Sequence, residues 1–291
     1  MSGRPVIVST DGSVTSRRVL PHAALLAAAA GSPLLLLQVL LPQDIEREPG
    51  EAPEVALERA RARIEAELRH VLERDGLEGE ACVEVLGRDE KVAARLRRAV
   101  EERRAGVLAL ASQGHSMLRH VLHGSVALDV LSAPGVLLMM SGPRIELPSA
   151  HGLPYRVLAT SDGSPASETV LKALAPVLAP GRFHVTLMRV HEREPLPQED
   201  ARRLAECEQG LRRLRDLLPA DVDVDVFVRE IPRGGGIDTA IIEKAMELDA
   251  HAIAMSTHAV TARRHVLMGS VATTMLGRSP LPLLLARMDF G

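Results

Sequence analysis

Along the chain, short apolar runs alternate with longer segments in which apolar residues recur at helical spacing, the pattern of βαβ units in a parallel sheet. In the first half the runs Pro5 to Ser9, Leu34 to Leu40, Ala81 to Leu86, Val107 to Ala111 and Val136 to Met140 predict strands. In the second half Tyr155 to Ala159, His184 to Val190, Val222 to Val228, Ala252 to Met255 and Leu283 to Ala286 predict five more. Helices fill the intervals. The segment from about Glu54 to Arg74 places Val55, Ile64, Leu68, Val71 and Leu72 toward one side and mostly Glu and Arg elsewhere, which predicts an amphipathic helix over the sheet with a solvated charged face. The expected class is α/β: two tandem doubly wound, Rossmann-like domains, each a five-stranded parallel sheet with helices on both faces.

Two internal matches in the same order organise the chain. Val8-Ser9-Thr10-Asp11-Gly12-Ser13 returns as Ala159-Thr160-Ser161-Asp162-Gly163-Ser164, and His120-Val121-Leu122-His123-Gly124-Ser125-Val126-Ala127 returns as His265-Val266-Leu267-Met268-Gly269-Ser270-Val271-Ala272. The offsets are 151 and 145 residues, as in a duplication with small loop differences. Ser141 to Gly152 is rich in Pro, Gly and Ser, so the expected division is a first domain over 1–142, a linker over 143–152 and a second domain over 153–291. Asp11-Gly12-Ser13 is expected to turn the chain, with Ser13 capping the first helix; in the second copy Ser164 is expected to cap and Pro165 to take the first helical position.

Between Arg18 and Asp44 lie 25 residues without a formal charge, and Arg17-Arg18 ahead of an Ala-rich run resembles a twin-arginine export signal. Gly31-Ser32-Pro33 breaks that run into a helix and a Leu-rich strand, and the second copy carries charges in the equivalent stretch at Glu168 and Lys172. Export and membrane insertion are therefore not expected, and the expected location is the cytoplasm. A length of 291 residues suits two domains of the commonest size, and 46% hydrophobic with 25% charged residues suits ordinary globular cores. Lys and Arg total 35 against 38 acidic residues, and with one Tyr, three Phe and no Trp neither electrostatics nor stacking favours a nucleic-acid partner. Cys82 and Cys207 form no framework and no Cys-x-x-Cys, and neither has a neighbouring base that would make it a nucleophile.

Both repeated motifs fall at carboxyl ends of strands, the first after strand one and the second after strand four, where a doubly wound sheet opens its crevice. Gly114, Gly124 and Ser125 could bring backbone N–H groups, a hydroxyl and a helix start to an anion, a combination that suits phosphates; the alternative is that Gly124-Ser125 is a turn and helix cap. Asp11 could likewise contact a ligand or bond its own turn. His115, His120 and His123 cluster beside the motif without an acidic ligand at matching spacing, so no metal site is expected. Gly234-Gly235-Gly236 follows a strand and is expected to be a loop. No Gly-x4-Gly-Lys-[Ser/Thr] and no His-Glu-x2-His is present, and Lys91, Lys172 and Lys244 are the only lysines, so catalysis is not expected.

With these motifs in order, the chain resembles a tandem universal stress protein. That family's domain opens with a strand and an Asp-Gly-Ser turn, and its nucleotide-binding members carry Gly-x2-Gly-x9-Gly-[Ser/Thr] after strand four, followed by a Pro-containing turn. Asp11-Gly12-Ser13, Gly114, Gly124-Ser125 and Pro134 match in the first copy; Asp162-Gly163-Ser164, Gly269-Ser270 and Pro280 match in the second. The resemblance implies ATP, with Mg2+ at its phosphates, in the first domain: Ser9, Thr10 and Asp11 at the adenine and ribose end, Val39 as an aliphatic wall, and Gly114, Gly124, Ser125 and the amide of Val126 at the phosphates. Ala111 replaces the first motif glycine in the first copy, and Ser256 and Ala259 replace two in the second, where their side chains are expected to point at the phosphate position. The second site is expected to be degenerate and its domain a structural partner in an intramolecular pseudo-dimer through the last apolar strands, with homodimerisation and an unidentified client protein as further partners. A protein-interaction module with both sites purely structural is the alternative function.

Overall fold

A computed structural model describes residues 3–112, 135–148, 153–257 and 270–287. The first half contains β1 (Val6–Thr10), α1 (Leu20–Ala30), β2 (Leu34–Leu40), α2 (Pro53–Arg74), β3 (Glu80–Val85), α3 (Val92–Glu102), β4 (Val107–Ala111) and β5 (Leu137–Ser141). The second contains β6 (Tyr155–Thr160), α4 (Ser167–Leu174), β7 (Phe183–Glu192), α5 (Pro197–Arg215), β8 (Asp223–Ile231), α6 (Ile237–Glu247), β9 (Ala252–Thr257), α7 (Ser270–Arg278) and β10 (Leu283–Arg287). The doubly wound α/β class is thus the observed one.

The ten strands form one sheet in the order β3-β2-β1-β4-β5-β10-β9-β6-β7-β8. Within each half every pairing is parallel, and the halves meet where β5 and β10 run antiparallel, with Leu283 opposite Met140 and Leu285 opposite Leu138. Alternation along the strands separates two buried layers. Val6, Val8, Leu137, Met139 and Leu284 face the side that also buries α1, α2, α4 and α5. Ile7, Leu138, Met140, Leu283 and Leu285 face the side that buries α3, α6 and α7. Each layer is continuous across both halves, because a strand buried on both faces has no reason to end its apolar run at the seam.

The uncharged stretch near the start resolves into α1 and β2. Gly31, at φ +60, closes α1 in the left-handed conformation while the N–H groups of Gly31 and Ser32 reach back to the Ala28 and Ala27 carbonyls. No helix among the described residues is long and apolar enough to cross a membrane. The amphipathic α2 differs in one position from expectation: Val55 is exposed, and the buried stripe is Ala56, Ala60, Ile64, Leu68, Val71 and Leu72. Steps of four and three residues keep that stripe on one face, whereas Val55 is rotated about 100° from Ala56.

The second half's first helix also begins later than expected. α4 starts at Ser167 with Ala166 at its N-cap position and no side-chain cap, so Pro165 lies before the helix rather than at its first turn. Instead of capping α4 through its hydroxyl, Ser164 accepts the Ser167 N–H on its carbonyl at 3.0 Å. The seam is closed by backbone as well as by side chains. The Glu146 N–H donates to the Pro280 carbonyl at 3.0 Å, and the Glu146 carbonyl meets His22 Nε2 of α1 at 2.7 Å, so the start of the interdomain segment is tied to both halves.

Candidate functional site

Each half carries a turn built on one serine that lies five residues beyond the turn's aspartate. In the second half the Ser167 hydroxyl donates to Asp162 Oδ1 at 2.8 Å and accepts the Asp162 N–H at 3.2 Å, while the Ser164 N–H donates to the same carboxylate oxygen at 2.9 Å. In the first half Ser16 Oγ accepts the Asp11 N–H at 3.3 Å and shares a 2.7 Å hydrogen bond with Thr10 Oγ1, and the Ser13 N–H donates to Asp11 Oδ1 at 3.0 Å. Asp11 and Asp162 therefore both bond their own turns. Ser16 and Ser167 are the residues that sequence reasoning missed; the signal was present, since both stand at the same 151-residue offset as the aspartates. Gly12 and Gly163 each take φ +82, a backbone conformation that favours glycine.

The expected first-half residues divide between what is described and what is not. Ser9, Thr10 and Val39 are almost wholly buried at the carboxyl ends of β1 and β2, with Asp11 just beyond. Gly114, Gly124, Ser125 and Val126 lie outside the described residues, as do His115, His120, His123, Ala259 and Gly269. Among the described residues no group of three His, Cys, Asp or Glu side chains could hold a metal ion.

The second half shows what such a constellation makes. Thr160, Ser161, Asp162, Val190, Ser270 and Val271 are the repeat partners of Ser9, Thr10, Asp11, Val39, Ser125 and Val126, and all six line one cavity of about 330 Å³. The cavity opens at the carboxyl ends of β6, β7 and β9, where strand order reverses between β6 and β9. Met188, Val190, Ile241 and Met255 form its apolar walls. Ser256, expected to push its hydroxyl toward the phosphate position, instead donates to the Ala166 carbonyl at 2.5 Å and accepts the Val170 N–H at 3.3 Å. Alternation along β9 turns the Ser256 hydroxyl toward α4, so the residue ties strand to helix while also lining the cavity.

The remaining motifs are structural in placement. The Gly234 N–H donates to Glu192 Oε1 at 2.8 Å and Gly236 immediately precedes α6, so the glycine run connects β8 to α6. Burial pushes the thiols of Cys82 and Cys207 up from their ordinary pKa, which disfavours the thiolate and agrees with the expectation that neither is a nucleophile.

The sequence profile of the Universal stress protein family matches residues 3–135 and again 155–287. The chain belongs to the universal stress protein family. A universal stress protein from Archaeoglobus fulgidus DSM 4304 superposes with a TM-score of 0.61 at 18% identity, covering 99% of this chain and 100% of its own. A putative universal stress protein from Pseudomonas aeruginosa UCBPP-PA14 gives 0.54 at 17% identity, over 98% of this chain and 93% of its own. At these identities the likeness concerns the tandem Rossmann-like fold. No curated protein matches the chain.

Proposed function

We propose that this universal stress protein is a cytoplasmic regulatory protein, not an enzyme, that binds ATP with Mg2+ in its first half. The observation that carries the reading is the cavity of the second half, whose lining is the repeat image of Ser9, Thr10, Asp11, Val39, Ser125 and Val126. Residues that are scattered in sequence thus converge when this fold closes, and the first copy keeps two motif glycines, Gly114 and Gly124, that the second copy does not match in full. Glycine lets backbone amides approach phosphate oxygens closely, so the first copy is the better triphosphate cradle. The second half, through the β5–β10 pairing, takes the place of a second subunit and leaves the client protein to be recognised by the nucleotide-loaded first half.

The test is calorimetric titration of the nucleotide-free full chain with ATP and magnesium. One ATP per chain, lost in Gly124→Val, is the expected result. No binding by calorimetry or by a method independent of heat would leave an interaction module with structural turns only.

A further inference from the structure

We propose that the outer edge of β8 is a self-association surface, where two copies of the chain pair antiparallel about a two-fold axis at Phe227 and continue one sheet into the other. Self-association there does not depend on nucleotide, so either reading can fail without the other.

The backbone is open for it. β8 ends the sheet order and, among the described residues, pairs only with β7, over all nine of its residues. The Arg193 N–H donates to the Ile231 carbonyl at 2.9 Å, so the odd-numbered residues of β8 turn their backbone groups toward β7. Alternation then leaves the N–H and C=O groups of Val224, Val226, Val228 and Glu230 on the outer edge, where a further strand can bond them. An edge of this length invites pairing unless its side chains oppose it.

In β8 the side chains favour a copy of themselves. Set antiparallel about Phe227, the strand Asp223–Ile231 places Asp225 opposite Arg229 twice, Val226 opposite Val228 twice and Phe227 opposite itself. Because the odd-numbered residues bond β7, the Phe227 pair and both Asp225–Arg229 pairs fall at non-hydrogen-bonded positions, where facing side chains approach most closely. Asp225 is 69% exposed and faces His184 at 3.0 Å; Arg229 meets Glu243 and Glu247 at 3.4 and 3.7 Å, which leaves guanidinium donors for another carboxylate. The opposite edge of the sheet lacks this symmetry, since a two-fold at Cys82 would set Glu80 of β3 against Glu84.

The helices fit the same axis. α5 and α6 each pack against both β7 and β8, on opposite faces of the sheet. With strands about 4.8 Å apart, a two-fold beside β8 puts each helix about 10 Å from its copy, the spacing of packed helices. The copies of α5 run antiparallel, so the acidic first turn with Glu199 and Asp200 lies toward the basic last turn, with Arg212, Arg213 and Arg215, of the other copy. Between α5 and the edge of β8, Arg212, Arg213, Asp216, Val224 and Val226 border an open hollow of about 640 Å³ that a second α5 would cover.

Sedimentation equilibrium of the full chain tests this. The wild type is expected to dimerise, and Asp225→Lys or Arg229→Glu alone to weaken the dimer by about tenfold or more, because each turns two attractive pairs repulsive. Mixing the two single variants in equal amounts restores dimers, since the heterodimer regains opposite charges at both pairs; misfolding of either variant cannot produce that recovery. Val226→Pro removes a donor from the outer edge and leaves the β7 ladder intact, so it abolishes the dimer while the circular dichroism of the folded chain persists. A wild-type chain that stays monomeric at about 100 µM overturns the proposal. So does a dimer indifferent to both charge changes or to Val226→Pro, or a pair of charge variants that stays monomeric when mixed.

Discussion

Gly142, one residue past β5, lies so close to the last turn of α7 that a Cβ there would stand 1.7 Å from the Leu276 carbonyl oxygen. The obstruction is backbone and cannot rotate away. Because Gly142 ends the first half and Leu276 belongs to the second, the contact sets how closely the β5–β10 seam closes.

Gly142→Ala is expected to force the seam apart and to destabilise the chain by about 1–3 kcal/mol, the range for inserting a methyl into a packed interior. Urea denaturation measures this, and a midpoint equal to wild type would show that α7 yields without cost.

Glu84, on the edge strand β3, is 8% exposed in its side chain and is bracketed by Arg95 and Arg103, the latter also within 3.0 Å of Cys82 Sγ. Burial alone would raise the Glu84 carboxyl pKa, but the hydrogen bond from Arg95 and the charge of Arg103 outweigh it and hold it below 4.5. The unfolded state then binds more protons than the folded one as pH falls below about 4.5, so this contribution is present above that value and lost on acidification. Glu84→Gln should cost about 2–3 kcal/mol at neutral pH, less than a fully buried pair because both arginines touch solvent, and should flatten the acid limb of a stability–pH curve.

His22 is buried in α1, and burial lowers its pKa below 6.5, with the charge of nearby His251 acting in the same direction against the hydrogen bond to the Glu146 carbonyl. The groups acting on it are the Glu146 backbone and His251, whose ring stacks on Tyr155 at 4.8 Å and whose Nδ1 accepts the Arg156 N–H. Unfolding exposes His22 to protonation, so its stability contribution is complete above pH 6.5 and declines as pH falls below it, by up to about 1.4 kcal/mol per pH unit. Denaturation at pH 7.5 and 5.5 should show the decline, and His22→Gln, which keeps a donor for Glu146, should reduce it. An unchanged slope in that variant would assign the pH dependence elsewhere.

The sequence by itself determined the strands, because runs such as Leu34–Leu40 and Leu283 to Ala286 are apolar on both faces and only a covered sheet can bury them. It also determined the two turns, since Asp-Gly-Ser bonds within a few residues and needs no distant partner. Where partners are remote, the local pattern stopped short. Val55 is an apolar residue at the edge of an amphipathic stripe, and only the packing of α2 on the sheet shows that Ala56 is the buried one. Likewise the start of α4 depends on Ser167 bonding back to Asp162 and on Ser256 of β9 bonding into its first turn, a contact across about ninety residues. The candidate site divides in the same way. The repeat named its residues, but that they enclose a cavity, that the Ser256 hydroxyl bonds to the start of α4 and that Arg189 stands over Gly163 followed only from strand order and side-chain facing. Tertiary structure also decided that two sheets become one, because an antiparallel edge pairing between β5 and β10 satisfies backbone groups that neither half could pair alone.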